Sequence, residues 1–584
     1  MRPTPAPALL ALAIAITQGC SPNPVPSTGS ATNAAASPSA PHPPVATPTA
    51  PRPWFEPVGP GSGLDFRHHI GTGGRFYLPE MESGGVGLVD FNRDGRLDVL
   101  CIDGGSLDPS QVRPPDHRLY RNDGGWRFTD VTAASGLRVH SGFGMGCTIG
   151  DYDRDGWPDL YITQYGGNHL FRNRGDGTFE DVTRHAGVGV DSLSTSAAFL
   201  DYDTDGHLDL IVVNYVRWTP EVERECFSSG GRRDYCSPLN YQAPAPPVLF
   251  HNRGDGTFED VTREAGLLSA FGNGLGVATG DFDRDGRVDL FIANDAMANQ
   301  LWLNQGQGRF RDDAPLRGCA LNAVGIPRAG MGVVAVDLLQ RGWLDLFVTH
   351  LVGEGNGLFL NERGIFTDWL VPDGPMAGSQ PYTGFGVEFA DFDNDGRLDL
   401  YVANGRVKLG LRESDPRHPY AEPDTLKRGI GDGRFLDVPF AGLSREDPGV
   451  GRGLAIGDLD NDGGLDVLVV RRDAPILILR NRVSGTHHWI ALQLEDARGN
   501  EVRNAMVRIE AGGQVLWRQH QPNQGYASSQ DPRVHFGLGS ASRVGHVWIR
   551  WPDGQAEDFG SLPPDQIHTI RQGRGTAAPG AFGW

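Results

Sequence analysis

The chain has 584 residues, so more than one domain is expected. Its formal net charge is −20, from 52 Lys and Arg against 72 Asp and Glu. This balance argues against nucleic acid as a partner, because no basic stripe is present to neutralise phosphates. Glycine is abundant, at 81 residues, and helical patterns are scarce, so short strands and tight turns should dominate.

The N-terminus has the pattern of an export signal. Arg2 precedes an apolar run at 8–16 that is too short to span a bilayer. A small residue and Cys20 follow, which favours a lipoprotein signal over a secretory signal with an incidental cysteine. We therefore predict a signal peptide over 1–20 and membrane contact only through a lipid on Cys20. Residues 21–53 are rich in Pro, Ala, Ser and Thr and are predicted to form a disordered tether.

A nine-residue pattern, Asp-x-Asp/Asn-x-Asp-Gly-x-x-Asp, occurs six times between short apolar runs. Calcium takes roughly six to eight oxygen ligands, and such loops supply them from positions 1, 3, 5, a backbone carbonyl at 7 and a later carboxylate. The glycine permits the sharp turn because it has no Cβ. The alternative is that Asp, Asn and Gly are only good turn residues, but this would scatter them. We predict that the loops bind about six calcium ions.

The predicted ligands occupy the same positions in all six loops. The side-chain ligands are Asp90, Asn92, Asp94 and Asp98; Asp151, Asp153, Asp155 and Asp159; Asp201, Asp203, Asp205 and Asp209; Asp281, Asp283, Asp285 and Asp289; Asp391, Asp393, Asp395 and Asp399; and Asp458, Asp460, Asp462 and Asp466. The backbone-carbonyl ligands are Arg96, Trp157, His207, Arg287, Arg397 and Gly464. The acidity of the chain is therefore mostly ligand chemistry.

A seventh copy of the loop begins at Asp337 and has lost two ligands. Leu339 and Arg341 stand at positions 3 and 5. We predict that this loop binds no calcium and that the Arg341 guanidinium partly fills the electrostatic role of the cation.

The loops recur at intervals of 50 to 80 residues, which is typical of propeller blades or a solenoid. Each repeat has a small-residue strand before the first Asp, a bulkier strand after the last, a third such as 169–173 and a fourth such as 177–183. Four strands make a propeller blade. We predict an all-β chain with a seven-bladed propeller over 54–482, closed by pairing of residues 63–69 with 475–481.

An insertion over 216–247 lengthens the third repeat. It holds Trp218 and two cysteines, Cys226 and Cys236, whose spacing in an exported protein favours a local disulfide over two free thiols. Loops on rigid scaffolds often carry binding sites, so we expect the insertion to project from one face as a recognition element. Three further cysteines are predicted to be small buried side chains: Cys101, Cys147 and Cys319.

After about residue 483 the acidic loops stop and alternating strands follow, as at 489–494 and 514–519. We predict a small separate β-sandwich over 483–572 and a loose tail over 573–584.

These motifs carry a family resemblance. The repeats resemble integrin-type FG-GAP (VCBS) repeats, and the C-terminal part resembles the ASPIC/UnbV domain through 504–507, 524–530, 535–539 and 551–554. The combination resembles the cartilage acidic protein family in its bacterial lipoprotein-like branch. Further matches are Leu78-Pro-Glu, Asn214-Tyr-Val, Cys236-Ser-Pro and Ala293-Asn-Asp. The resemblance implies a calcium-binding propeller with an extracytoplasmic adhesion or binding role, and it gives no substrate.

We expect a calcium-stabilised scaffold that binds an unknown protein or glycan ligand, either lipid-anchored to the bacterial envelope or secreted. Two alternatives remain: an exported enzyme with its active site at the propeller channel or face, and a structural envelope protein. The histidine pairs at 68–69 and 487–488 lack metal-ligand spacing, and Glu80 and Glu82 are isolated acids. We therefore predict no catalytic or cofactor-binding residues and a protein that is not an enzyme.

Overall fold

Short strands form nearly all of the regular structure, as the composition predicts. The computed structural model describes residues 53–108, 110, 113–409, 418–438 and 448–582. The predicted signal peptide, its Cys20 and nearly all of the predicted tether lie outside the described residues.

Thirty-eight strands make up the described β structure. In chain order they are β1 (Phe55–Pro57), β2–β5 (Val86–Val89, Asp98–Cys101, Arg118–Gly124, Arg127–Asp130), β6–β9 (Phe143–Gly150, Asp159–Tyr165, His169–Asn173, Phe179–Asp181), β10–β15 (Ser194–Leu200, Asp209–Asn214, Cys226–Phe227, Arg233–Asp234, Val248–Asn252, Phe258–Asp260), β16–β19 (Gly274–Gly280, Asp289–Asn294, Gln300–Asn304, Phe310–Asp312), β20–β23 (Gly330–Val336, Asp345–His350, Gly357–Glu362, Ile365–Asp368), β24–β27 (Gly384–Ala390, Asp399–Asn404, Thr425–Gly431, Arg434–Asp437), β28–β30 (Gly451–Gly457, Asp466–Arg471, Leu477–Asn481) and β31–β38 (His488–Glu495, Met506–Ala511, Gln514–Gln519, Val534–Gly539, Val544–Arg550, Ala556–Asp558, Ile567–Arg571, Thr576–Ala577).

Helices are short and few in the described ranges. The α-helices are α1 (Thr132–Ser135), α2 (Thr183–Ala186) and α3 (Ala314–Arg317). The 3₁₀ turns are Pro60–Ser62, Leu78–Met81, Pro220–Val222, Pro238–Asn240, Leu267–Ser269 and Ser484–Thr486.

Each acidic loop joins the first two strands of a four-stranded antiparallel sheet, and the described residues contain seven such sheets. Their first strands, β2, β6, β10, β16, β20, β24 and β28, contact one another in that order, and β28 returns to β2. Small residues permit this approach. A Cβ on Gly276 would lie 2.3 Å from the Met331 carbonyl oxygen, and one on Gly332 would lie 2.2 Å from that of Phe385. The sheets therefore form a closed β-propeller.

The ring closes through a strand that the sequence pattern did not indicate. The last sheet takes β28, β29 and β30 from its own repeat and β1 as its fourth strand, with Phe55 opposite Asn481. Residues 63–69 do not form this strand. They do pair with the predicted segment at its start, where Arg67 forms an antiparallel bridge with Pro475 and the Ile476 amide donates to the Phe66 carbonyl at 3.0 Å. The predicted pairing is therefore present, but β1 supplies the closing strand. β1 has only three residues and ends in proline, so it carries no alternating pattern.

The C-terminal region forms two sheets around its own core. One has the order β34–β31–β37 and the other β33–β32–β35–β36–β38. Ile490, Phe536 and Trp551 are among the buried residues between them. The segment that we expected to be a loose tail contributes β38, and Phe582 packs edge-to-face on Trp517 at 5.4 Å.

The C-terminal region is interlocked with the propeller rather than separate from it. Residues 521–531, which we call the channel segment, leave β33 and run between the first strands of the sheets. Gly525 exchanges two backbone hydrogen bonds with Val333, at 2.8 and 3.0 Å. The Ser529 amide donates to the Val86 carbonyl, and the Ser529 carbonyl accepts from the Leu88 amide, both at 3.0 Å. The segment thereby satisfies amides that would otherwise line the axis of the ring.

The insertion in the third repeat packs onto the propeller instead of projecting from it. Trp218 and Tyr241 are buried against the segment that contains Leu78. Glu223 fastens this contact, because it accepts hydrogen bonds from the Leu78 amide and Trp218 Nε1, both at 2.9 Å, and from the Tyr241 hydroxyl.

The cysteines agree with their predicted roles. Cys226 and Cys236 form a disulfide within the insertion. Cys101, Cys147 and Cys319 are free and buried. Burial raises the pKa of the Cys147 thiol to about 12, so it is a packing group rather than a nucleophile.

Candidate metal sites

The acidic loops fold around their own backbone amides. In the loop at Asp151, one carboxylate oxygen accepts from the Asp155 amide at 3.1 Å and the other from the Gly156 amide at 2.9 Å. The Asp155 carboxylate accepts from the Trp157 amide at 3.0 Å. The bonds from positions 6 and 7 recur in all six intact loops. The backbone therefore fixes the carboxylates at positions 1 and 5.

The position-9 carboxylate is the most buried of each set. Asp159 accepts from the Tyr152 amide at 3.1 Å and from the Asn173 amide, in the third strand, at 2.7 Å. Asp159, Asp209, Asp289 and Asp399 have no exposed surface. This residue therefore ties its loop to the sheet and places a buried carboxyl group next to the other carboxylates.

Position 4 of the loop adopts a left-handed backbone, although it is never glycine. This conformation is uncommon for residues with a Cβ, and its recurrence shows that loop geometry is imposed by the surrounding bonds. The residues are Arg93, Arg154, Thr204, Arg284, Gln340, Asn394 and Asn461, with φ between 54° and 61°.

Several loop carboxylates have a buried oxygen without a hydrogen-bond partner. These oxygens belong to Asp153, Asp201, Asp281, Asp283, Asp393 and Asp460. A buried, unpaired carboxylate oxygen is costly unless a cation or a donor reaches it. Hard oxygen donors gathered in this way fit calcium, which is held by carboxylate, carbonyl and water oxygens.

The electrostatics of the loops lead to the same chemistry. Burial, reinforced by Glu501 and the other loop carboxylates, raises the pKa of Asp151 to about 7. Burial raises the pKa of Asp98 to about 8, and that of Asp201 to about 7. A divalent cation reverses these shifts, because it stabilises the ionised carboxylates.

Arginines of the third strand contact several loops. Arg172 Nε lies 2.5 Å from Asp153, and its Nη2 lies 3.0 Å from Asp155. Arg428 contacts two carboxylates at 2.7 and 2.9 Å, and Arg480 contacts Asp460 at 2.8 Å. Arg96 and Arg397, two predicted carbonyl ligands, also pair through their side chains with the position-5 Asp, each at 2.5 Å. These contacts offset part of the negative charge of the loops.

The degenerate loop at Asp337 keeps the fold of the others with an arginine at position 5. Arg341 Nη2 lies 3.2 Å from Asp345, the position-9 carboxylate. This geometry agrees with the predicted electrostatic role of Arg341. The loop also contacts the C-terminal region, because Gln340 Oε1 accepts a hydrogen bond from the Trp517 amide at 2.6 Å.

An asparagine that closes the third strand was not predicted as a site residue. Asn173 Nδ2 donates to the Phe91 carbonyl in the preceding loop and to the Pro158 carbonyl in its own. The same pair of bonds is made by Asn122, Asn252, Asn304, Asn361 and Asn481. In the sequence, this asparagine recurs near the end of the third strand, before the turn. Asn is also a common turn residue, so the pattern alone did not indicate a contact between sheets.

Arginine side chains of the C-terminal region contact two of the acidic loops of the propeller. Arg533 is nearly buried and donates to the Asp458 carbonyl at 2.8 Å and to Asn461 Oδ1 at 2.7 Å. Arg550 lies 3.4 Å from Asp281. The C-terminal region therefore contacts the loops at Asp458 and Asp281 directly, so metal binding by these loops and the position of the C-terminal region are expected to affect each other.

The channel holds a second group of buried polar residues. The Tyr526 hydroxyl donates to the Glu82 carbonyl at 2.7 Å, and burial raises the pKa of the Glu82 carboxyl to about 8. Arg452 stacks over Phe385 at 3.9 Å and donates to the Gly405 carbonyl at 2.9 Å. The same hydroxyl lies 3.3 Å from a carboxylate oxygen of Glu82, so this acid group has a polar partner that the sequence did not indicate.

Comparison with known families agrees with this geometry. The FG-GAP-like repeat model matches residues 90–162, 151–212, 231–292, 281–348 and 337–402, half of the chain. The chain belongs to the FG-GAP-like repeat family. Residues 497–577 of this FG-GAP chain also match the ASPIC and UnbV model.

Relatives of this FG-GAP chain include cartilage acidic protein 1, which confirms the predicted resemblance to the cartilage acidic protein family. The Homo sapiens protein is 25% identical over 568 residues, covering 86% of this chain and 74% of that protein. The Mus musculus protein is 26% identical over 506 residues, covering 82% and 71%. An Agrocybe aegerita lectin that recognises terminal N-acetylglucosamine is similar in structure, with 17% identity, a TM-score of 0.36, and coverage of 62% and 81%.

Among the described residues, the structure contains no helix with the length and apolar character of a membrane span.

Proposed function

We propose that this FG-GAP chain is a calcium-stabilised binding scaffold that acts outside the cytoplasm. The observation that carries the proposal is the set of buried, unpartnered carboxylate oxygens in the repeated loops. Each intact loop offers acidic oxygens at alternate positions, which matches the preference of calcium for many oxygen ligands.

Calcium would stabilise the ring because each intact loop joins two strands of its own sheet and also accepts a hydrogen bond from the next sheet. The position-9 carboxylate is bonded to its own third strand, and the Asn173 type of side chain reaches the preceding loop. An ion that fixes one loop therefore also fixes the carbonyl that the next sheet binds. The stabilisation follows mass action, so it grows with the calcium concentration above the dissociation constant.

The test is calcium content together with thermal unfolding of the full chain. After dialysis against ~1 mM Ca²⁺, near the weak end of extracellular modules, metal analysis should find about six ions per chain. Calcium should raise the melting temperature and EDTA should lower it. If metal analysis confirms that calcium is bound in one condition and removed in the other, and the melting temperature is nevertheless the same, the proposal is contradicted.

We further propose that the scaffold binds a protein or glycan, and that Cys20 carries a lipid if the N-terminal signal is of the lipoprotein type. Crosslinking capture from a bacterial envelope fraction, in calcium and in EDTA, tests the binding role. A partner captured only in calcium supports a binding scaffold. Equal capture of abundant envelope proteins in both conditions supports the structural alternative.

A further inference from the structure

One loop differs from the others in the side chain that faces it from the third strand. His251 in β14 precedes Asn252. The residues at the corresponding position in the other repeats are Arg121, Arg172, Leu303, Leu360, Arg428 and Arg480. Within the described repeats, the third is therefore the one that offers a nitrogen lone pair at this position.

The imidazole lies among the carboxylates of the loop at Asp201. His251 Nδ1 is 3.3 Å from Asp209 Oδ1 and 3.4 Å from Asp203 Oδ2. Nδ1 is buried and faces these two carboxylates, and Asp201 Oδ1 in the same loop is buried without a hydrogen-bond partner. One ligand atom from each of Asp203, Asp209 and His251 lies within 4.8 Å of the other two.

We propose that His251, Asp203 and Asp209 form a transition-metal site, selective for Zn²⁺ or a similar ion, in a ring of otherwise all-oxygen loops. A tetrahedral ion with bonds of ~2.0–2.1 Å separates its ligands by roughly 3.3–3.4 Å. The distances from His251 Nδ1 to the Asp209 and Asp203 carboxylates, 3.3 and 3.4 Å, match this separation. Imidazole suits zinc, copper and nickel, whereas calcium takes oxygen ligands. The inference rests on the proposed cation-binding role of the loops and adds a different metal for one of them.

The second repeat shows what the site would be without the histidine. Arg172 holds the same position and contacts Asp153 and Asp155. A guanidinium stays protonated and has only donors, so it neutralises the carboxylates but cannot ligate a metal. The third loop is also open to solvent, because Asp203 and Asp205 are exposed. An ion can therefore reach the imidazole from the surface.

The alternative is that protonated His251 acts only as a counter-ion, as Arg172 does. The two roles differ in metal selectivity. A counter-ion leaves the loop to calcium, whereas a ligand makes the loop prefer zinc when both metals are present.

The experiment uses the full chain saturated with ~1 mM Ca²⁺ and then supplied with about one equivalent of Zn²⁺. Four proteins are compared: wild type, His251→Leu, His251→Arg and His185→Leu. His251→Leu reproduces Leu303 of the fourth repeat, and His251→Arg reproduces Arg172. His185→Leu removes an exposed imidazole from α2. Zinc and calcium contents are measured after dialysis, and anomalous scattering at the zinc edge locates the ion in wild-type crystals.

Wild type and His185→Leu should each keep about one zinc and lose about one calcium, and both His251 variants should keep calcium instead. The anomalous peak should lie ~2.0–2.1 Å from Nδ1. Equal zinc uptake by all four proteins, or calcium at Asp201 in the presence of zinc, would overturn the proposal. If a variant does not fold, the wild-type anomalous map decides alone. Absence of calcium from every loop would refute the proposed function instead, and the zinc result would stand separately.

Discussion

Asn173 Nδ2 donates a hydrogen bond to the Phe91 carbonyl, 2.8 Å away in the loop of the preceding sheet. Five other asparagines make the same contact around the ring, and Gly429 stands at the position in the remaining repeat. The acidic loops are therefore linked to one another through protein groups as well as through any ion that they bind.

Replacing Asn173 with Ala should destabilise the protein by about 1–3 kcal/mol, because the buried Phe91 carbonyl and the partly buried Pro158 carbonyl lose their donor. The measurement is urea unfolding in the presence of calcium. Arg174→Ala, which removes an exposed side chain from the same segment, should change the free energy of unfolding by less than ~0.5 kcal/mol. Equal effects for both variants would show that the asparagine contact is not a link between sheets.

The two kinds of loop can be distinguished by exchanging their ligands. Asp153→Ala should lower the calcium content by about one ion per chain, because it removes a buried, unpartnered oxygen. The double variant Leu339→Asp, Arg341→Asp should raise it by about one, because it restores both missing carboxylates. Leu339→Ala is the control and should leave the content unchanged. An unaltered calcium content in the first two variants would disprove the ligand assignment.

The channel segment should be sensitive to small changes in the strands around it. A Cβ on Gly85 would lie 2.2 Å from the Ala527 carbonyl oxygen and 2.7 Å from Gly146 Cα, both backbone atoms. Gly85→Ala should therefore displace the channel segment and lower the free energy of unfolding by about 1–3 kcal/mol. It should also make the C-terminal region more susceptible to limited proteolysis. Gly61→Ala meets no atom within 4 Å and serves as the control. Proteolysis rates that match in both variants would contradict this role.

Stability should fall with rising pH as the buried carboxyl groups of Glu80 and Glu82 ionise. Burial raises the pKa of Glu82 and that of Glu80 to about 8. A carboxyl whose folded pKa lies above its unfolded value contributes stability that is complete below about pH 4.5 and is lost as the pH rises through about 8. Glu82→Gln mimics the neutral form and should reduce the loss of melting temperature across this range, in saturating calcium. Glu259→Gln, an exposed glutamate, is the control; a wild-type slope in Glu82→Gln would refute the assignment.

The sequence was sufficient for the features that repeat. Spaced Asp, Gly and apolar residues predicted the loops, the four-stranded sheets and the all-β class, because each depends on contacts within one repeat. The disulfide between Cys226 and Cys236 was predictable for the same reason.

Features that depend on distant partners were not predictable. The closing strand at Phe55–Pro57 is too short for a period, and its partner lies more than 400 residues away in the sequence. The Tyr526 to Glu82 contact joins two segments that have no pattern in common. Alternating strands indicated a separate sandwich after residue 483, but they carried no information about the channel segment between two of them.

The placement of the channel segment also fixes an order of events during synthesis. Every first strand from β2 to β28 leaves the ribosome before residues 521–531, whose amides and carbonyls bond to Val86 and Val333. A nascent chain that stops after β30 would thus be a ring with bare backbone groups along its axis. The propeller interior is therefore completed only after residues 521–531 are available, so a chain that lacks them cannot form the complete propeller.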